Sequence, residues 1–169
     1  MGRGGSSGLQ RENCNMSLRE EYARQEAELD ELYREIILDH YRNPRHRGSL
    51  ESPSAFHEGL NPLCGDEVTV ELLVDGDRIA DVAYNGSGCS ISQSSASMMT
   101  EAILGKSLDE VRRLKDDFTA LMRGEGGIDP ESLGDLEALS GVRKFPVRVK
   151  CATLAWHTLE EALGELPTH

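Results

Sequence analysis

Apolar and polar side chains alternate in residues 67–74, EVTVELLV, so that every second side chain from Val68 onward falls on one face of a strand. Residues 78–86, RIADVAYNG, carry a similar apolar set, and the DGD of residues 75–77 between the two segments is typical of a hairpin turn. Residues 55–60, AFHEGL, are also predicted to be extended. The sequence therefore predicts a small antiparallel sheet of about three strands.

Apolar side chains recur at helical spacing on both sides of this sheet. The first predicted helix covers roughly residues 18–43, and its apolar stripe is Leu29, Leu32, Tyr33, Ile36, Ile37 and Tyr41. After the sheet, the predicted helices are one within residues 90–106, one opened by the capping box of residues 107–110, a short one with Asp129 as N-cap, and a last one from Cys151.

Residues 144–150, KFPVRVK, lead into the last helix and are predicted to be extended. A sheet that is followed by several helices indicates an α+β fold in which the helices pack on one face of the sheet. The chain has 169 residues, which is enough for one domain with a hydrophobic core. Because 38% of the residues are hydrophobic and only 5% are aromatic, we expect that core to be mostly aliphatic.

The chain carries a formal net charge of −12 at pH 7. This charge argues against nucleic acid and anionic membranes as partners, because both need a basic surface. No apolar run approaches the roughly 18 residues of a membrane span, and the first residues lack the apolar segment of a secretory signal. We therefore expect a cytoplasmic protein, in which cysteines serve metal binding or catalysis more often than disulfides.

The Gly/Ser-rich residues 1–16 predict a disordered tail, which is a cloning remnant if Met16 is the natural start. Cys14 lies in this tail, in a segment without a packing pattern, and is left out of the candidate chemistry. Residues 17–169 are expected to form a single domain.

Three cysteines lie at boundaries between predicted elements. Cys64 falls in the loop between two strands, Cys89 where a strand passes through Gly86 and Gly88 into a helix, and Cys151 where an extended stretch enters a helix. The last two should lie near helix N-termini, where the macrodipole favours an anion and lowers the pKa of a thiol. A lowered pKa suits a metal ligand and a sulfur nucleophile equally, while any one buried cysteine can also be an inert apolar side chain.

Asp66 stands two residues after Cys64, where a zinc hairpin would carry a second cysteine. On a strand, residues two apart face the same side, so the thiol and the carboxylate could share one metal ion. The residues alone thus suggest a Cys₃Asp metal site, whose four candidate ligands are Cys64, Asp66, Cys89 and Cys151.

Four anionic ligands would leave a Zn²⁺ site with a net charge of about −2, which the basic side chains of Arg148 and Lys150 could offset. A carboxylate is a harder ligand than a thiolate and exchanges more readily, which suits a site that opens. The histidines are weaker ligand candidates, namely His40, His46, His57 and His157.

Five segments of the chain match, in order, the motifs of a known family: ILDHYRNPRHRGSL, NPLCGDEV, NGSGCSISQSSASMM, GKSLDEV and FPVRVKCATLAW. Over about residues 30–165 the chain thereby resembles the IscU/SufU/NifU-N family of iron–sulfur cluster assembly proteins. It is most similar to the SufU branch, because Lys150 stands where IscU-type proteins carry a histidine and residues 118–140 resemble the extra segment of SufU proteins.

This resemblance implies a zinc-dependent sulfurtransferase with the IscU/SufU-like α+β fold. Such a protein accepts persulfide sulfur from a PLP-dependent cysteine desulfurase, SufS, stimulates that enzyme, and passes the sulfur toward a SufBCD-type scaffold. The resemblance also implies that Cys64, Asp66, Cys89 and Cys151 are the zinc ligands. Cys64 matches the sulfur acceptor, which is freed when a desulfurase histidine takes its place on zinc, and Arg148 matches a basic residue that assists this exchange.

Two other functions are compatible with the same residues. A scaffold would assemble a labile [2Fe–2S] cluster on the four ligands in place of Zn²⁺. A structural zinc module would use the site only to hold the fold and would act through protein contacts. A persulfide on Cys64 would separate these functions from sulfur transfer.

Overall fold

The computed structural model describes residues 20, 24, 30–62, 65–128 and 130–166. Residues 30–42 form helix α1, and a three-stranded sheet follows it. The strands are β1 (Ala55–Asn61), β2 (Asp66–Asp75) and β3 (Arg78–Ser87). The helical elements after the sheet are α2 (Ser90–Ile103), α3 (Leu108–Arg123), α4 (Pro130–Leu133), a 3₁₀ segment (Gly134–Lys144) and α5 (Pro146–Gly164). This order confirms the predicted α+β class.

The sheet has the order β1-β2-β3, and each strand pairs antiparallel with its neighbour in sequence. Gly76 adopts a φ of 63° in the two-residue turn between the paired residues Asp75 and Arg78, which closes the predicted hairpin. Alternate side chains of β2 are buried, as the sequence pattern predicts, and these are Val68, Val70 and Leu72. The register of the sheet is therefore set by one apolar face.

The core lies between that face and the helices, with α5 packed across β1 and β2 and α2 packed against β3. Ser95 of α2 donates its hydroxyl to the carbonyl of Ala152 at 2.6 Å and accepts the indole N–H of Trp156 at 3.3 Å. Phe118 of α3 stacks on Trp156 with 4.8 Å between the ring centroids. The hydrogen bonds of Ser95 thus join α2 to α5, the helix that carries Cys151, and the ring stacking joins α3 to α5.

Helix α1 buries part of the face that the sequence predicts, since Tyr33, Ile36 and Ile37 pack against the core. Leu32 and Tyr41 of the predicted stripe are 55% and 45% exposed, so that part of the prediction is wrong, while Leu29 lies outside the described residues. Ile37 is buried as predicted, and His40, which the stripe does not include, is buried as well. The imidazole of His40 contacts Ser97 of α2 through Nδ1 and Asp135 through Nε2, each at 2.9 Å, and this polar contact selects the inward face of α1.

The prediction that residues 144–150 are extended is also wrong, because α5 begins at Pro146. Phe145 is the last extended residue before it, with φ −121° and ψ 95°. A proline suits the first helical position, where its missing N–H costs nothing and its fixed φ is already helical. The alternation of Val147 and Val149 with charged side chains imitates a strand, but Val147 is 57% exposed on the helix.

The segment between α3 and α5 is packed against the domain. Asp129, the predicted N-cap of α4, lies outside the described residues. The 3₁₀ segment buries four apolar side chains, namely Leu136, Ala138, Leu139 and Val142. Tyr33 of α1 donates its hydroxyl to Glu137 at 3.2 Å, so hydrogen bonds as well as apolar contacts hold this segment to α1. None of the described helices combines the length and apolar content that crossing a membrane requires.

Candidate metal centre

Asp66 is the first residue of β2 and is fully buried at the point where β2 pairs with the last residue of β1, Asn61. Its Oδ1 accepts the backbone N–H of Cys89 at 2.9 Å, and its Oδ2 lies 3.8 Å from the thiol of Cys89. A buried carboxylate needs compensating partners, because burial removes its hydration. The N–H of Cys89 is one such partner, and a cation at this position would be another.

Cys89 is the N-cap of α2, as the sequence predicts, and it is half-buried. Its sulfur accepts the backbone N–H of Ser92 at 3.5 Å, in the place that a serine or aspartate oxygen usually takes at an N-cap. The sulfur therefore lies at the N-terminus of α2, where the helix fixes its position. The position suits a sulfur ligand of a metal ion.

Gly88, between β3 and α2, allows Asp66 and Cys89 to approach each other. Its φ is 151°, which side chains rarely adopt. A Cβ atom at this position would overlap Oδ1 of Asp66 and would lie 2.9 Å from the hydroxyl of Ser92. Gly88 is thus needed for both its backbone angle and the space beside the carboxylate.

Cys151 is fully buried on α5, and its placement corrects the sequence-based expectation. Because α5 begins at Pro146, Cys151 lies in the second turn rather than at the helix start, beyond the reach of the N-terminal macrodipole. Its thiol lies 3.7 Å from the carbonyl of Val147, and the side-chain amide of Asn61 approaches its sulfur at 3.9 Å. The helix backbone and the end of β1 therefore fix this sulfur together.

The structure brings Asp66, Cys89 and Cys151 together: one ligand atom of each lies within 4.8 Å of the other two. Tetrahedral zinc places neighbouring oxygen and sulfur ligands roughly 3.5–4 Å apart, so small side-chain movements would suffice to bind it. One carboxylate and two thiols fit zinc, and thiolates also hold iron–sulfur clusters. Cys64, the fourth predicted ligand, lies outside the described residues, two positions before Asp66.

The two predicted basic side chains near the centre, Arg148 and Lys150, are both exposed on α5. Arg148 lies one helical turn before Cys151 and lines a surface groove together with Ser90, the residue after Cys89. Arg148 and the start of α2 therefore border the same groove. Lys150 does not line that groove, so Arg148 is the better placed of the two to offset negative charge there.

The histidines take no part in the cluster within the described chain. His40 and His46 contact Ser97 and Thr100 of α2, His57 pairs with a glutamate of the α5 end, and His157 is exposed.

Two residues around the centre were not predicted. Asn61 contacts the sulfur of Cys151, as described above, and the backbone carbonyl of Asn61 accepts the N–H of Gly65 at 2.8 Å. Gln93 is buried and donates to the carbonyl of Glu67 at 3.4 Å, while its Oε1 has no donor within the described residues. The asparagine before a proline in NPLCGDEV is a visible turn signal, whereas nothing in the sequence marks Gln93.

The family model of the NifU-like N-terminal domain matches residues 32–152, which include Asp66, Cys89 and Cys151. The chain belongs to this family. Its membership confirms the resemblance that the five sequence motifs predict. Within this fold the three side chains come from three elements, namely the start of the central strand β2, the N-cap of α2 and the second turn of α5.

Relatives within the NifU-like family include proteins of two named functions. The chain is 47% identical over 139 residues to the zinc-dependent sulfurtransferase SufU of Bacillus subtilis, covering 82% of this chain and 94% of that protein. It is 42% identical over 137 residues to the iron–sulfur cluster assembly scaffold protein IscU of Streptococcus pyogenes, covering 81% of this chain and 86% of that one.

A solved structure supports the fold independently. FiSufU of Fervidobacterium islandicum AW-1, described as an iron–sulfur cluster assembly scaffold protein for the SUF system, superimposes with a TM-score of 0.73 at 40% identity. The superposition covers 76% of this chain and 94% of FiSufU. The NifU-like family therefore shares both the sequence motifs and the architecture of this protein.

Proposed function

We propose that this protein is a zinc-dependent sulfurtransferase of iron–sulfur cluster assembly. It would accept persulfide sulfur from a SufS-type, PLP-dependent cysteine desulfurase, stimulate that enzyme, and pass the sulfur to a SufBCD-type scaffold. The observation that carries the proposal is the meeting of Asp66, Cys89 and Cys151 within 4.8 Å, in a chain closely related to a SufU sulfurtransferase.

The proposed ligands divide into a fixed group and a movable one. Asp66 is held by a strand pair and a hydrogen bond, Cys89 by the N-terminus of α2, and Cys151 by the second turn of α5. Cys64, which lies between β1 and β2 in the sequence, would complete the set. The sequence predicts a loop at this position, and because loop residues move at lower cost than helix residues, Cys64 is the ligand proposed to leave.

Bound at this site, Zn²⁺ would keep the ligand sulfurs deprotonated and hold them together. In the proposed transfer, the Cys64 thiolate attacks the outer sulfur of the donor cysteine persulfide. A new S–S bond forms at Cys64, the donor S–S bond breaks, and the donor cysteine leaves as a thiolate, so no external oxidant or reductant is needed. Asp66 would remain a ligand during this exchange. The positive charge of Arg148 would stabilise the Cys64 thiolate after it has left the zinc ion.

The test is mass spectrometry of the protein after incubation with a cysteine desulfurase and cysteine. We expect an addition of about 32 Da on the peptide that contains Cys64. Wild-type protein should also raise desulfurase turnover several-fold, and Cys64→Ala should abolish this effect. Cys14→Ala serves as the matched control because Cys14 is excluded from the proposed chemistry. Full stimulation by Cys64→Ala would refute the acceptor assignment.

A second candidate function is a scaffold for a labile [2Fe–2S] cluster on the same ligands, which the relationship to the IscU scaffold of S. pyogenes favours. Anaerobic reconstitution with iron and sulfide should then give a cluster that transfers to an apo-acceptor protein. A protein that retains zinc, forms no transferable cluster and still acquires the Cys64 persulfide would support the sulfurtransferase instead.

A further inference from the structure

A surface groove of about 430 Å³ opens beside the candidate metal centre. Its walls come from α1, the first turn of α2, the 3₁₀ segment and the first turn of α5. Two of the residues that line it lie close to the proposed ligands. Ser90 follows Cys89 in the sequence, and Arg148 lies one helical turn before Cys151. We call this feature the α1–α5 groove.

The floor of the α1–α5 groove is apolar. Ile37 and Val142 form buried parts of it, and Tyr33 and Ile91 are partly buried beside them. Phe145 stands at the rim with 61% of its surface exposed, the largest exposure among the described large apolar residues. An exposed aromatic side chain above an apolar floor is typical of a surface that binds another protein segment.

The rim of the α1–α5 groove is basic, although the chain as a whole carries a net charge of −12. Arg34, Lys144 and Arg148 line it, with Asp30 as the one acidic side chain among the described lining residues. Glu58 and Glu67, by contrast, line a separate pocket between β1 and β2. The α1–α5 groove therefore has a basic rim on a chain that is acidic as a whole.

We infer that the α1–α5 groove binds an acidic, apolar segment of the protein that donates the persulfide. This inference rests on the proposed sulfurtransferase function. A donor protein must bring its outer sulfur to the centre, and stable protein interfaces cover about 800 Å² on each partner, far more than the centre itself. The donor must therefore cover neighbouring surface, and among the described residues the groove combines apolar area with three basic side chains.

Charge complementarity identifies the chemistry of the donor segment. Basic groups at the rim of an interface attract acidic partner segments and accelerate their encounter, and the apolar floor then holds the docked segment. The overall charge opposes docking of a second copy of this chain, because two molecules that each carry a net charge of −12 repel each other.

The test measures the dissociation constant between a cysteine desulfurase and this protein by titration calorimetry, independently of sulfur transfer. The variant is Arg34→Glu with Lys144→Glu, which leaves Arg148 and the ligands unchanged. The matched control is Arg112→Glu with Arg113→Glu, two exposed positions on α3 with the same change in net charge. We expect about tenfold weaker binding for the groove variant, a loss that shrinks at high salt, and little change for the control.

Phe145→Ser tests the apolar part of the same surface, and it should weaken binding without making it less sensitive to salt.

Equal loss of affinity in the groove and control variants would overturn the inference, since net charge alone would then explain the effect. So would no loss in the groove variant, or no binding by the wild-type protein. If the groove variant changed self-association in sedimentation, the occupant would be a second copy and the inference would be wrong. If the wild type binds and the groove variant does not, yet Cys64 gains no persulfide, the docking surface stands and the sulfurtransferase function fails.

Discussion

The backbone N–H of Cys89 donates to Oδ1 of Asp66 across 2.9 Å, so a direct hydrogen bond joins two residues of the candidate metal centre. It links the first residue of β2 to the first turn of α2. The carboxylate is therefore oriented by the fold itself, and its second oxygen already faces the thiol of Cys89 at 3.8 Å. Asp66 therefore has a structural role, as the acceptor of this hydrogen bond, in addition to its proposed role as a metal ligand.

Asp66→Asn should keep the fold and lose the metal ion. The amide oxygen can still accept the N–H of Cys89, but an uncharged amide is a poorer zinc ligand than a carboxylate. We expect zinc affinity to fall by at least about tenfold, as measured by competition with a chromophoric chelator. Circular dichroism should show an unchanged secondary structure.

Asp66→Ala provides the comparison, because it also leaves the buried N–H of Cys89 without its acceptor, at a cost of about 1–3 kcal/mol. It should therefore lower the free energy of unfolding of the metal-free protein more than Asp66→Asn does. Wild-type zinc affinity in Asp66→Asn would argue against Asp66 as a ligand.

Gly88→Ala should disturb the centre by displacing the carboxylate of Asp66. The added Cβ would overlap the Asp66 carboxylate, and the φ of 151° strains any side chain, so the carboxylate or the β3–α2 connection must shift. We expect reduced zinc affinity and a lower unfolding temperature, measured by differential scanning calorimetry. Gly126→Ala is the matched control, because nothing lies within 4 Å of its would-be Cβ, and it should change neither quantity appreciably.

His40→Ala should destabilise the protein without removing a ligand. The imidazole is 1% exposed and bonds both Ser97 and Asp135, so its removal leaves a cavity and a buried hydroxyl with one partner fewer. We expect a loss of about 2 kcal/mol or more in urea unfolding and faster amide exchange in the 3₁₀ segment. His157→Ala, at an exposed position of α5, should stay within about 0.5 kcal/mol. Equal effects of the two variants would show that the His40 contacts add nothing to stability.

Glu110 should contribute stability that depends on pH. The hydrogen bond from the Ser107 side chain, followed by that from the Ser107 backbone, lowers the pKa of Glu110 below its ordinary value of 4.5. A carboxyl whose pKa is lower in the folded state stabilises the fold above its ordinary pKa, and this contribution disappears as the pH falls through the folded value. The stability difference between wild type and Glu110→Gln should therefore be present at pH 7 and shrink toward pH 3. A difference that is constant over this range would contradict the prediction.

The sheet and the capping box could be predicted because both depend on residues close in sequence. Alternation along β2 and the turn at Gly76 define the hairpin, and Ser107 with Glu110 forms the capping box that their spacing predicts. The placement of Cys89 at a helix N-terminus follows from the same local pattern. The sequence also predicted that Asp66, Cys89 and Cys151 come together, although their assignment as ligands stays a prediction.

The errors in prediction arose where distant contacts decide local structure. Residues 144–150 alternate like a strand, yet the packing of α5 against β1 and β2 makes them helical from Pro146. In α1, the partner of His40 is Asp135, which is 95 positions away and belongs to a 3₁₀ segment that the helical period of α1 does not indicate. A single sequence carries no record of such pairings, because the polar contact is defined only after both segments have packed.

The distances along the chain between Asp66, Cys89 and Cys151 give the centre a further consequence. The three residues are 23 and 62 positions apart (89 − 66 and 151 − 89), so an ion bound to all of them would close two loops that together span half the chain. Such an ion would act as a reversible cross-link, since closing long loops removes entropy from the unfolded chain. A molecule whose α5 had detached from the sheet could not retain it. Metal binding would thus distinguish fully folded molecules from partly folded ones, and only fully folded molecules would take part in the proposed sulfur transfer.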